Sequence, residues 1–78
     1  MKIFKKAGQP QRTKLQNRVA SVATTELVWW AENAMAQIGR NVVHHQRDGI
    51  EALLEAEEGA EALLAIVQEL KERAKHGG

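Results

Sequence analysis

The chain has 78 residues, of which 44% are hydrophobic and 27% are charged, and it contains no cysteine. A chain of this length holds one domain with a thin core, and the lack of cysteine excludes disulfide bonds and thiolate metal sites. No stretch reaches the roughly 20 apolar residues that a membrane-spanning helix needs, and the basic start is not followed by the apolar segment of a signal peptide. We therefore expect a cytoplasmic protein without a membrane span.

Charge is unevenly distributed along the chain. Residues 1–25 contain six basic residues and no acidic one, whereas the remainder contains ten acidic and five basic residues. Residues 1–12 hold Gly8, Pro10 and glutamines, a composition typical of a segment without a core of its own. We predict a flexible basic arm at residues 1–12 and a helical hairpin domain at residues 13–78.

A first long helix follows the arm. Thr13 and Gln16 have the spacing of a capping box, in which each side chain pairs with a backbone amide of the other residue. This pattern predicts a helix over residues 14 to about 46. Ser21 and the threonine pair at 24–25 weaken the helix locally, and either threonine could cap a later start.

A second long helix is predicted from about residue 49 to residue 75. Asp48 and Glu51 repeat the spacing of a capping box, and the sequence that follows is rich in the strong helix formers Ala, Glu and Leu. No alternation of apolar and polar residues is long enough to indicate a strand. The predicted fold is all-α, a helical hairpin of two long helices, and the alternative is one continuous rod over 14–75.

Apolar residues of the first predicted helix fall on two opposite stripes when the helix is drawn at 100° per residue. One stripe, with Trp30 at its edge, contains Leu27, Ala31, Ala34, Ile38, Val42 and His45. The other repeats every seven residues and contains Leu15, Val22, Trp29, Ala36 and Val43. A surface helix of a monomer shows a single apolar stripe, and the second helix can cover only one of these two.

The uncovered stripe indicates an oligomer. Burying an aromatic side chain such as Trp29 contributes a free energy that is large beside the stability of two isolated helices. We predict that two hairpins pair as a four-helix bundle of coiled-coil type. The predicted interface contains Leu15, Val22, Trp29, Trp30, Ala36 and Val43. The alternatives are a different protein partner on this stripe, or a monomer in which Trp29 stays half-exposed.

Catalytic and metal-binding patterns are weak. His44 and His45 are adjacent, so on a helix they diverge by about 100° and cannot easily share one ion. Five glutamates between residues 51 and 61 lack the apolar pocket that a catalytic carboxylate pair needs, and they are typical of a solvated helix face. We therefore predict no enzyme activity, no catalytic residue, no metal site and no cofactor.

The basic residues offer a second class of function. Six of them can neutralise nucleic-acid phosphates without reading bases: Lys2, Lys5, Lys6, Arg12, Lys14 and Arg18. The favoured hypothesis is a small protein-interaction or regulatory module that acts as a homo-oligomer. The first alternative is a nucleic-acid-associated helical dimer that uses residues 1–18. The second is a structural or assembly protein that polymerises basic end to acidic end.

Overall fold

A computed structural model describes residues 13–77, which form three α-helices and no strand. Helix α1 spans Lys14–Ala20, α2 spans Thr24–Asp48 and α3 spans Ile50–Lys75. The prediction of an all-helical chain is confirmed. The prediction of two long helices is corrected to three, because the first predicted helix is divided. The predicted arm at residues 1–12 lies outside the described residues.

Helix α1 begins at the predicted capping box. The backbone N–H of Gln16 donates to Oγ1 of Thr13 at 3.0 Å, and the backbone N–H of Thr13 donates to Oε1 of Gln16 at 3.0 Å. These two bonds satisfy backbone amides that a helix start leaves without partners. The capping box is a local pattern, and the structure confirms it.

A break at residues 21–23 separates α1 from α2, so the prediction of one helix from 14 to about 46 is wrong. The hydroxyl of Ser21 donates to the carbonyl oxygen of Arg18 at 2.9 Å, which competes with continued helical bonding. Ala23, in an extended conformation, is the N-cap of α2 and has no side-chain capping bond. Neither threonine is therefore the cap. The break lets α1 turn back and pack against α3.

Gly49 alone connects α2 to α3, with φ of +83° and ψ of −160°. Glycine is essentially the only residue that adopts this conformation without strain. The predicted capping role of Asp48 is wrong, because Asp48 ends α2 and Gly49 is the N-cap of α3 without a side-chain bond. The carboxylate of Asp48 instead lies 3.5 Å from Nε of Arg47 on the surface. The chain reverses at Gly49, so it is not one continuous rod.

Alanine substitutions at two glycines should change stability in opposite directions. We expect Gly49→Ala to lower the free energy of unfolding by about 1–3 kcal/mol, because alanine is strained at this φ and ψ. Gly39 lies within α2 with open space around its Cβ position, so Gly39→Ala should raise the same quantity by about 0.5–1 kcal/mol. Urea denaturation of both variants measures the difference. Equal changes in the free energy of unfolding for the two variants would contradict the assignment of Gly49 to the turn between α2 and α3.

The core lies where α1, α2 and α3 meet. Its buried members are Val19, Leu27, Ala65 and Ile66. Helices α2 and α3 run antiparallel, because Leu27 packs with Ile66 near the open end, and Ile38 packs at Gly59 nearer the turn. Cγ1 of Ile38 lies 3.0 Å from the position that a Cβ on Gly59 would occupy. The missing side chain at Gly59 therefore allows the two helices to approach closely.

Candidate interaction surface

Large apolar side chains remain uncovered along both long helices. On α2 one set of them lies seven residues apart, and on α3 a second set, eleven and three residues apart, occupies positions of one helix seam. We define the bare face by six of these residues, which are between 38% and 57% exposed: Val28, Met35, Val42, Leu53, Leu64 and Val67. Side chains that repeat at this spacing form a line along one side of a helix.

The two lines lie on the same side of the α2–α3 pair. At 100° per residue, each line is displaced by about 80° from the side by which its helix packs against the other. On both helices the rotation from the packed side to the line is in the direction in which the residue number increases. Because the two helices run in opposite directions, equal rotations of this kind lead to the same side of the pair. The six residues therefore form one apolar surface rather than two separate strips.

Helix α1 covers the opposite side of the α2–α3 pair. Val19 of α1 is buried against the core, and Ala65 of α3 is buried at the same place. Trp30, a predicted interface residue, is half-buried and packs against this core cluster. Cζ of Arg18 lies 6.0 Å from the centroid of a Trp30 ring, at the outer limit of a cation–π contact. Helix α1 thus covers one side of the pair, and no other part of residues 13–77 covers the bare face.

The structure divides the stripe that sequence analysis singled out. Trp29 and Val43 are 61% and 70% exposed, and with Ala36 they follow the outer edge of α2, away from α3. Leu15 and Val22 instead pack against the core cluster, because α1 is a separate helix folded onto α3. Only three of the five stripe residues therefore share one exposed line.

Sequence reasoning missed the bare face. It placed Val42 on the side of α2 that faces α3, although the structure leaves Val42 46% exposed. The signal that could have identified the surface is the matching seven-residue repeat on both helices, at Val28, Met35 and Val42 and at Leu53, Ala60 and Val67.

Arg73 joins all three helices and was also missed, since its sequence neighbourhood shows only a basic helix end. Its Nε donates to Oε2 of Glu69 at 2.8 Å, and Nη1 donates to Oγ1 of Thr24 at 2.9 Å. Its Nη2 donates to three carbonyl oxygens at 2.7–3.3 Å, those of Val19 and Ala20 in the last turn of α1 and that of Val22 in the break. The guanidinium therefore satisfies acceptors that the end of α1 leaves without helical partners.

The remaining predicted site residues are the basic ones. Lys14 and Arg18 are exposed on α1, whereas Lys2, Lys5, Lys6 and Arg12 lie outside the described residues.

Within residues 13–77, no three histidine or acidic side chains are grouped so that they could hold a metal ion. Nδ1 of the half-buried His45 pairs with the carbonyl oxygen of Val42 in its own helix.

Comparison with known proteins finds no relative of this chain. No protein-family profile matches the chain, and no curated protein or solved structure matches it. In the described part of the chain, no helix is both long enough and apolar enough to cross a membrane. The exposed apolar surface is therefore the feature from which a function can be argued.

Proposed function

We propose that this chain is a small non-enzymatic interaction module that acts as a homo-oligomer through the bare face. The observation that carries the proposal is the set of six aliphatic and Met side chains, each 38–57% exposed, on one side of the α2–α3 pair. An exposed apolar surface that is contiguous is typical of an interaction site, whereas isolated exposed apolar residues are common on any protein.

Energetics favour covering this surface. Full burial of one Val, Leu or Met side chain contributes about 1.5–3 kcal/mol, so burying the exposed half of six such side chains supplies several times RT. A core of this size alone rarely supplies more than about 3–5 kcal/mol of stability. Two copies that pack bare face to bare face would form a four-helix bundle from α2 and α3 of each chain, with α1 on the outside.

Adjacent valines provide a matched test of the surface. We expect Val42→Glu, on the bare face, to raise the dissociation constant of the oligomer at least tenfold, because the interface would then bury an unpaired carboxylate. Val43→Glu, on the outer edge of α2, should leave it within about twofold. Sedimentation velocity at micromolar concentration measures both, with circular dichroism to verify helix content.

Other results would point to other surfaces. Dissociation by Val43→Glu and not by Val42→Glu would move the interface to the edge that contains Trp29. A wild-type chain that is monomeric and fully helical at every concentration would contradict the proposal as a whole. Growth of the particle with concentration beyond a defined oligomer would favour an assembly protein.

The segregation of charge keeps nucleic-acid binding as a second candidate. Six basic residues precede the first acidic one, and four of them lie in residues 1–12. Binding to duplex DNA that weakens with salt and disappears when residues 1–12 are deleted would support this candidate. The same deletion should leave association through the bare face intact, so the two candidates are separable.

A further inference from the structure

We infer that the partner on the bare face is a second copy whose α3 lies antiparallel to α3 of the first, with the pairing centred near Leu64. This inference rests on the proposed self-association and adds its geometry. It follows from the order of apolar and charged residues along one seam of α3.

The seam has the spacing of a coiled coil. Its positions follow each other at alternating intervals of four and three residues, and all are exposed: Leu53, Glu57, Ala60, Leu64, Val67, Lys71 and Ala74. Alternation of three- and four-residue steps keeps a seam facing a partner helix. The seam therefore presents five apolar residues and two residues of opposite charge.

The order of residues is nearly symmetric about Leu64. Glu57 precedes Leu64 by seven residues, and Lys71 follows it by seven. In an antiparallel pair centred there, Glu57 of each copy lies within about one helical turn of Lys71 of the other. The apolar residues of one half of the seam meet those of the other half. Opposite charges and apolar residues are thus both matched by a single two-fold axis.

Parallel pairing of the same seam lacks this match. It would place Glu57 opposite Glu57 and Lys71 opposite Lys71, and like charges across an interface are destabilising. Within residues 13–77, neither Glu57 nor Lys71 has an ion pair or a side-chain hydrogen bond, so both are free to bind a partner.

The corresponding seam of α2 is a weaker candidate for the centre of the dimer interface. Its positions are Thr25, Val28, Glu32, Met35, Gly39, Val42 and Gln46, among which Glu32 is the one charged residue. Self-pairing of α2 therefore offers no opposite charge for that glutamate. Helix α1 packs with Val19 against the core, and its first residues Thr13, Leu15 and Gln16 line a cavity beside Leu64, so they border the centre of the α3 seam.

Charge reversal tests the pairing. We expect Glu57→Lys alone and Lys71→Glu alone each to raise the dimer dissociation constant about tenfold or more, because two symmetry-related attractions become repulsions. An equimolar mixture of the two variants should form a heterodimer, since each contributes the charge that the other lacks. The double variant Glu57→Lys/Lys71→Glu should recover wild-type association. Sedimentation equilibrium at low salt measures all four samples.

Glu58→Lys is the matched control, because it makes the same charge change at an exposed residue that lies about 100° around α3 from the seam. We expect it to leave the dissociation constant within about twofold. If the wild type dimerises but Glu57→Lys and Glu58→Lys behave alike, or the mixture does not associate more tightly than its components, the antiparallel pairing is overturned and self-association stands. A monomeric wild type would instead overturn both.

Discussion

Replacing Arg73 with methionine should lower the free energy of unfolding by about 3 kcal/mol. Hydrogen bonds to a charged group contribute about 1.5–3 kcal/mol, and removing one partner of a largely buried pair leaves the other charge unsatisfied. The side chains of Arg73 and Glu69 are only 24% and 16% exposed. Methionine retains the apolar stem, so the loss isolates the guanidinium. We expect α1 to detach from α3 in this variant.

Lys75→Met serves as the control for Arg73→Met. Nζ of Lys75 lies 3.5 Å from Oε2 of Glu72, and both side chains are more than half exposed. Exposed ion pairs contribute about 0–1 kcal/mol, so this change should be close to neutral. Urea denaturation at one fixed protein concentration compares the two variants, because association shifts apparent stability. An Arg73→Met variant as stable as Lys75→Met would show that the guanidinium does not hold the helices together.

Leu27→Ala should lower the free energy of unfolding by about 2–5 kcal/mol, enough to unfold most of a chain of this size. Leu27 is 0% exposed and packs between Val19 and Ile66, so alanine would leave a cavity at the meeting point of the three helices. Thermal denaturation followed by circular dichroism measures the loss.

Leu64→Ala makes the same chemical change at a position that is 57% exposed. At a protein concentration where the chain is monomeric, we expect it to lower the free energy of unfolding by no more than about 1 kcal/mol. At higher concentration it should weaken association, because Leu64 lies at the centre of the proposed dimer. Equal destabilisation of the monomer by the two alanine variants would contradict the assignment of Leu27 to the core and Leu64 to a surface.

Local features of this fold could be predicted from sequence. The capping box of Thr13 and Gln16 involves residues three positions apart, and the long helices follow from composition and apolar periodicity. The break at 21–23 could not be placed in the same way, because the carbonyl oxygens on either side of its start, those of Val19, Ala20 and Val22, accept from Arg73, more than 50 positions along the chain. The cap assigned to Asp48 failed because Gly49 provides the turn with its backbone conformation alone.

The candidate site shows the same limit. Helical periodicity identified a second apolar stripe on the first predicted helix, and the structure leaves Trp29 and Val43 of that stripe exposed. Periodicity could not show that α1 folds back, which moves Leu15 and Val22 to the core. It also could not show how α2 and α3 are each rotated about their own axes. This rotation determines which sides of the two helices face each other and which side chains form the bare face.

The position of Arg73 also determines the order in which the chain can fold during synthesis. Its bonds reach back 49 positions to Thr24 and as many as 54 positions to Val19. The capping box of α1 can form as soon as its own residues leave the ribosome, but the acceptors at its end have no guanidinium until residue 73 has been added. The contacts that hold α1 in place therefore cannot be completed until α3 is nearly finished, although α1 precedes α3 in the chain.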